Sequence, residues 1–154
     1  MSKKLAIIAT KGTLDWGYPP FILASTAAAL GYDVQIFFTF YGLQLLKKNL
    51  NLQVSPLGNP GMPMPFPVPV LMQALPGMQA MMTSMMKKKM ADKGVADLAE
   101  LRELCQEADV KFIACQMTVD LFEMDTKEFI GDVEYAGAAM FFDFAGDADI
   151  CLYI

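Results

Sequence analysis

A chain of 154 residues, 55% hydrophobic and 19% charged, is long enough to bury a sizeable core and too apolar to stay disordered. Histidine is absent, which removes Ser-His-Asp and Cys-His catalysis and any imidazole metal site within this chain. Three cysteines without a C-x-x-C spacing argue against a disulfide framework or structural zinc, and a net charge of −5 without a basic-aromatic motif argues against nucleic acid.

Met1–Lys4 is basic, but the apolar run Leu5–Ala9 is too short for a signal segment. No stretch reaches the ~18–20 uninterrupted apolar residues of a membrane span, so a soluble, cytoplasmic protein is expected. Leu5–Ala9 has the length of a buried strand and is closed by Thr10-Lys11-Gly12-Thr13. Tyr18–Leu30 reads as a helix, with Pro19 and Pro20 in its first turn and Gly31 as its stop. Asp33–Phe40 is β-branched and aromatic, a second strand, and Gly42–Lys48 a short helix. Leu52–Val54 is a candidate for an additional short strand.

Residues 55–93 interrupt this alternation. Pro56–Pro69 cannot be helical, whereas Leu71–Met90 predicts a methionine-faced helix ending in Lys87-Lys88-Lys89. This insertion reads as extra core or a subunit interface, as a lid or partner-docking surface, or as a helix making peripheral membrane contact. A copper(I) thioether site is the weakest reading, for want of a regular M-x-x-M cluster. Beyond the insertion, Val95–Ala108 repeats apolar residues at helical spacing, and Lys111–Ala114 is a strand. Helices are expected over 118–124 and Glu134–Ala145, the latter closed by Gly146, and Ile150–Ile154 is a last buried strand. Together these elements predict one domain, 1–154, with the 55–93 insertion inside it. The fold class is α/β: an open, doubly wound, mostly parallel sheet of about five strands with helices on both faces.

Charge divides along the chain: residues 1–91 carry a net +6 and residues 92–154 a net −11. Either the acidic helices have a solvated face, or a lysine-flanked region attracts an anionic ligand or acidic partner. In such sheets ligands gather outside the carboxyl ends of the strands, where the loops Thr10–Trp16, Thr39–Gly42 and Cys115–Thr118 should converge. Cys115 stands at a strand-to-helix elbow, where backbone N–H groups and the helix dipole favour a thiolate. Lys11 and the N–H groups of Gln116, Met117 and Thr118 are candidates to stabilise that anion, with Gly12, Thr13, Asp15 and Tyr41 shaping the pocket. No P-loop or G-x-G-x-x-G motif supports a nucleotide site. Cys151 lies in an apolar terminal strand and Cys105 on an apolar helical face, both positions suited to buried structural thiols. Climbing the strand from the end of that helix puts Cys105 on the order of 15 Å from Cys115, beyond the ~7 Å limit for a bridge.

Ala9–Gly17, Phe37–Gly42, the Met/Pro/Gly insertion running into Met85–Lys89, and Ala114-Cys-Gln-Met-Thr118 together resemble the DsrE/DsrF/DsrH-like family, and more closely its branch with a long methionine-rich insertion. The resemblance implies a flavodoxin-like three-layer sandwich, a homo-oligomer, and a sulfur relay through a persulfide on Cys115. It also implies a candidate second thiol at Cys105, and donor or acceptor partners of rhodanese-like or TusA-like type. Neither a cofactor nor a metal is implied. The leading expectation is therefore a sulfur carrier or sulfurtransferase using Cys115. The alternatives are a non-catalytic partner- or membrane-docking module using the Met-rich helix, and a nucleotide- or flavin-binding protein suggested by fold alone.

Overall fold

The computed structural model describes residues 1–56 and 64–154. Five parallel strands form one sheet in the order β4-β3-β2-β1-β5: β1 Lys4–Ala9, β2 Asp33–Phe38, β3 Lys111–Cys115, β4 Val133–Ala136 and β5 Ile150–Tyr153. Helices α1 (Leu14–Ala29), α2 (Val70–Gln73), α3 (Met78–Asp92), α4 (Leu98–Glu107), α5 (Gln116–Leu121) and α6 (Ala138–Ala145) complete the α/β architecture, with 3₁₀ turns at Phe40–Leu46 and Thr126–Glu128.

Strand alternation sorts the core into two layers. Leu5, Ile7, Ile36, Phe38, Phe112 and Ala114 face α1 and α4, joined by Cys105, whereas Ala6, Phe37, Ile113 and Cys115 face Phe141 of α6. Phe21, Phe38 and Phe112 lock the first layer through ring contacts of 5.5–6.0 Å. Consecutive residues at the end of β3, Ala114 and Cys115, therefore point to opposite sides of the sheet.

Several boundaries differ from the sequence expectation. α1 begins at Leu14, a turn before Tyr18, tied down by a 2.8 Å bond from its N–H to the Gln53 carbonyl. Pro19 and Pro20 thus sit in the second turn, where burial of Leu14, Tyr18, Phe21 and Ala24 outweighs the two missing amide donors. β2 ends at Phe38, and the short helix over 42–48 is instead a 3₁₀ turn starting at Phe40. α4 starts at Leu98 because Asp97 and Glu100 form a reciprocal capping box. The helix expected over 118–124 starts at Gln116 and ends at Leu121.

The largest difference is at Glu134–Ala145, which divides into edge strand β4 and helix α6 across Gly137. Pairing of Val133–Ala136 with Phe112–Cys115 overrides the helical reading of that stretch. Cys151 is exposed rather than buried, because β5 is an edge strand with one side uncovered. Leu52–Val54 is buried but is not a strand: α3 holds it through Thr83, whose hydroxyl accepts from the Val54 N–H at 3.0 Å, and Gln79, whose amide donates to the Val54 carbonyl at 2.7 Å. The methionine helix is split at Ala74–Gly77 into α2 and α3. Met82, Met86 and Met90 pack inward while Met81 and Met85 face out. Within the Pro-rich half of the insertion, residues 57–63 lie outside the described residues, and 64–69 contain no helix.

Candidate functional site

β1, β2 and β3 are neighbours, so the three loops at their carboxyl ends meet. The fit is close enough to demand glycine twice: a Cβ on Gly42 would collide with the Ala9 carbonyl, and one on Gly12 with the Tyr41 carbonyl. The topological switch point lies elsewhere, between β1 and β5, and Thr10 bridges it by donating its N–H and hydroxyl to the Ile154 carbonyl, each at 2.9 Å. That closure works against the nucleotide- or flavin-binding reading, which relies on an open crevice there.

Cys115 closes β3 and immediately precedes α5. Phe38 pairs with Ala114, so the next residue up β2, Thr39, lies beside Cys115 on the same face. Thr118, one turn into α5 and wholly buried, completes the pocket, its hydroxyl 3.3 Å from that of Thr39. The Phe40 N–H donates to Thr118 Oγ1 at 3.2 Å. With that lone pair used, the Thr118 hydrogen is left to point at Thr39 or at the sulfur. A thiolate, which only accepts, can take both threonine hydrogens at once.

Burial, which leaves Cys115 5% exposed, pushes its thiol up. The opposing hydrogen bonds win: the Thr118 hydroxyl and N–H, the Thr39 hydroxyl and the Met117 N–H together hold Cys115 below the ordinary thiol range. α5 has six residues, so these local donors rather than a long helix dipole account for the effect.

The other residues singled out from the sequence have separate roles. The Lys11 ammonium lies over the Trp16 ring, 4.0 Å from its centre, and lines a pocket of about 350 Å³ with Gly12, Thr13, Tyr41 and Ser55. Asp15 turns inward, accepting from the Ser55 N–H at 2.8 Å and its hydroxyl at 3.1 Å, while Thr13 pairs with the same hydroxyl at 3.1 Å. Gln116 donates to Asp120 at 2.7 Å, and the Met117 side chain is exposed. Thr39 is the participant that sequence reading missed. Its signal was present in the chain, a hydroxyl residue at the end of a strand next to the one ending in cysteine, but strand order is needed to see it.

Cys105 is brought to none of these. It is fully buried against α1, its thiol donating to the Phe21 carbonyl at 3.4 Å, and burial pushes it up to about 12. Among the described residues, no group of three or more acidic or cysteine side chains is arranged to hold a metal ion, and no helix is long and apolar enough to cross a membrane.

A family model described as DsrE/DsrF/DrsH-like matches residues 1–153, nearly the full length over which these loops and layers were traced. The chain belongs to that family. Within it, the chain is 76% identical to the sulfur carrier protein DsrE2 of Allochromatium vinosum, over 99% of this chain and 98% of that protein. It is also 31% identical to the uncharacterized protein YrkE of Bacillus subtilis, over 99% of this chain and 98% of YrkE. Among solved structures, the ychN protein from E. coli superposes with a TM-score of 0.56 at 12% identity, each chain covered completely. This last likeness speaks for the fold, and it agrees with flavodoxin-like layering of a DsrE-type domain.

Proposed function

We propose that this DsrE-like protein is a sulfur carrier whose working atom is Cys115 Sγ. The observation that carries the reading is the surroundings of that sulfur: the Thr39 and Thr118 hydroxyls, 3.3 Å apart at the end of β3, and the Met117 and Thr118 N–H groups lower the pKa of a cysteine at the ligand edge. The 76% identity to a protein named as a sulfur carrier supports the same role. The Cys115 thiolate attacks the outer sulfur of a donor persulfide, R–S–SH. A Cys115 S–S bond forms, the donor S–S bond breaks, and the donor leaves as the thiolate R–S⁻. Discharge is the same exchange in reverse, onto an acceptor thiolate. The donors that hold the thiolate also suit the anionic persulfide. The protein is loaded and unloaded by partners, which makes it a carrier in a sulfurtransferase reaction, and by family resemblance those partners are rhodanese-like or TusA-like proteins of the cytoplasm.

Cys105 is buried in the opposite layer with a raised pKa, and it serves as a packing residue rather than a second relay thiol. Homo-oligomerisation draws support from the β5 edge and α6, where Phe142 and Tyr153 are 68% and 73% exposed. The docking role of the insertion draws support from Phe66, Val70 and Leu71, all more than three-quarters exposed and followed by Lys87–Lys89. Intact-protein mass spectrometry after incubation with polysulfide tests the carrier reading. In a Cys151→Ser background, which removes the exposed thiol, one or more added sulfur atoms are expected with Cys115 present and none on Cys115→Ser. Equal loading of Cys115→Ser would sink it.

A further inference from the structure

We propose that Phe40, Tyr41 and Phe122, together with the carboxylates around them, form the surface on which a basic protein partner presents its sulfur-bearing cysteine. The inference rests on the carrier reading and names the partner class for that site. The three rings contact one another with centroids 5.8–6.5 Å apart, yet they are 43%, 64% and 40% exposed. Met117 and Leu121 of α5 are also exposed, at 59% and 60%. A contiguous apolar patch of this kind, next to a chemical centre, marks an interaction surface.

The backbone reinforces this. Phe40 has φ +50°, a left-handed conformation that bulky side chains rarely adopt. Strain of this kind persists where surrounding structure imposes it, and here no core packing of the ring compensates. The same residue gives its N–H to Thr118, and the Phe122 N–H bonds the Thr118 carbonyl at 3.0 Å. The patch is thus tied through Thr118, and through Thr39 next to Phe40, to the residues that donate to Cys115.

The rim decides the sign of the partner. Tyr41, Lys47, Phe122, Glu123, Asp125 and Glu128 line a groove of about 420 Å³, three carboxylates against one ammonium. Residues 116–128 hold four carboxylates and one lysine, a net charge of −3. Glu128 is paired with Lys47 at 3.0 Å, whereas Asp120, Glu123 and Asp125 have no cationic partner among the described residues. An apolar centre with an unneutralised acidic rim fits a segment in which lysine or arginine and an apolar residue flank the cysteine.

The test compares persulfides of two synthetic peptides, Lys-Leu-Cys-Lys and Glu-Leu-Cys-Glu, with polysulfide as a donor that needs no docking. Sulfur gain on Cys115 is followed by mass spectrometry. At low salt the basic peptide is expected to load Cys115 ~10-fold faster than the acidic one, and the ratio should collapse in high salt. Glu123→Lys with Asp125→Asn should abolish the preference. Phe122→Ser should slow both peptides severalfold while leaving polysulfide loading unchanged. Equal rates for the two peptides, or a preference that survives the charge variant, would overturn the proposal. So would loss of self-association in Phe122→Ser without peptide preference, which would assign the patch to a second copy of this chain. Failure of polysulfide itself to load Cys115 takes down the carrier reading, and this inference with it.

Discussion

Cys105 and Cys115 are ten positions apart and share a chemical group, but the sheet separates them. On the α1–α4 side the sulfur meets packed hydrocarbon and one carbonyl, so burial keeps it protonated. On the other side, at the strand end, burial is nearly as complete, yet hydroxyl and N–H donors reverse its effect. Burial alone thus does not decide whether a thiol is inert. What decides it is whether the surrounding groups can donate to an anion.

The widest expected difference is in alkylation. In the native protein near neutral pH, Cys115 should react with iodoacetamide at least ~10³-fold faster than Cys105, which should react only when the chain unfolds. Site-resolved peptide mapping after timed quenching checks this, and comparable labelling of the two would erase the contrast. A smaller effect follows from Thr118→Val, which keeps the shape and removes the hydroxyl. The thiolate should then need higher pH, slowing Cys115 alkylation at neutral pH on the order of 10-fold, or about 1.4 kcal/mol. Thr39→Val should do the same more weakly, and Thr39→Ser should restore it.

Stability carries the sign of the other thiol. Cys105 stays protonated in the fold up to about 12, while in the unfolded chain it ionises from the ordinary value of 9.0. Its contribution is therefore fully present below that ordinary value and is lost as pH rises through this window, by up to about 1.4 kcal/mol per pH unit. Urea unfolding at stepped alkaline pH should show that slope, diminished in Cys105→Ala. The insertion offers a test of comparable or smaller size. Thr83→Val leaves the Val54 N–H without its partner and should cost ~1–3 kcal/mol of unfolding free energy, with Cys115 reactivity unchanged.

Much of this is legible in the sequence. Apolar runs of strand length located β1, β2, β3 and β5, and a cysteine ending such a run pointed to the position proposed as the sulfur carrier. Glu134–Ala145 misled because an exposed edge strand and a short helix, joined by one glycine, leave no long apolar run to separate them. The cap at Asp97–Glu100 could have been read directly, as a short-range signature. Non-local partnerships could not. Thr39 becomes a donor to Cys115 only when β2 lies beside β3. Arg102, buried in α4, donates to the carbonyls of Leu45 at 2.9 Å and Lys47 at 2.7 Å, a contact no helical period announces.

The central claim is that the donors around Cys115 lower the pKa of its thiol, and the direct measurement is its titration. Ultraviolet thiolate absorbance should be followed against pH in a Cys105→Ala/Cys151→Ser background, so that Cys115 is the sole source of signal. The account predicts a midpoint below the ordinary thiol value of 9.0 that moves upward in Thr118→Val. A midpoint at or above that value, indifferent to Thr118, would contradict it.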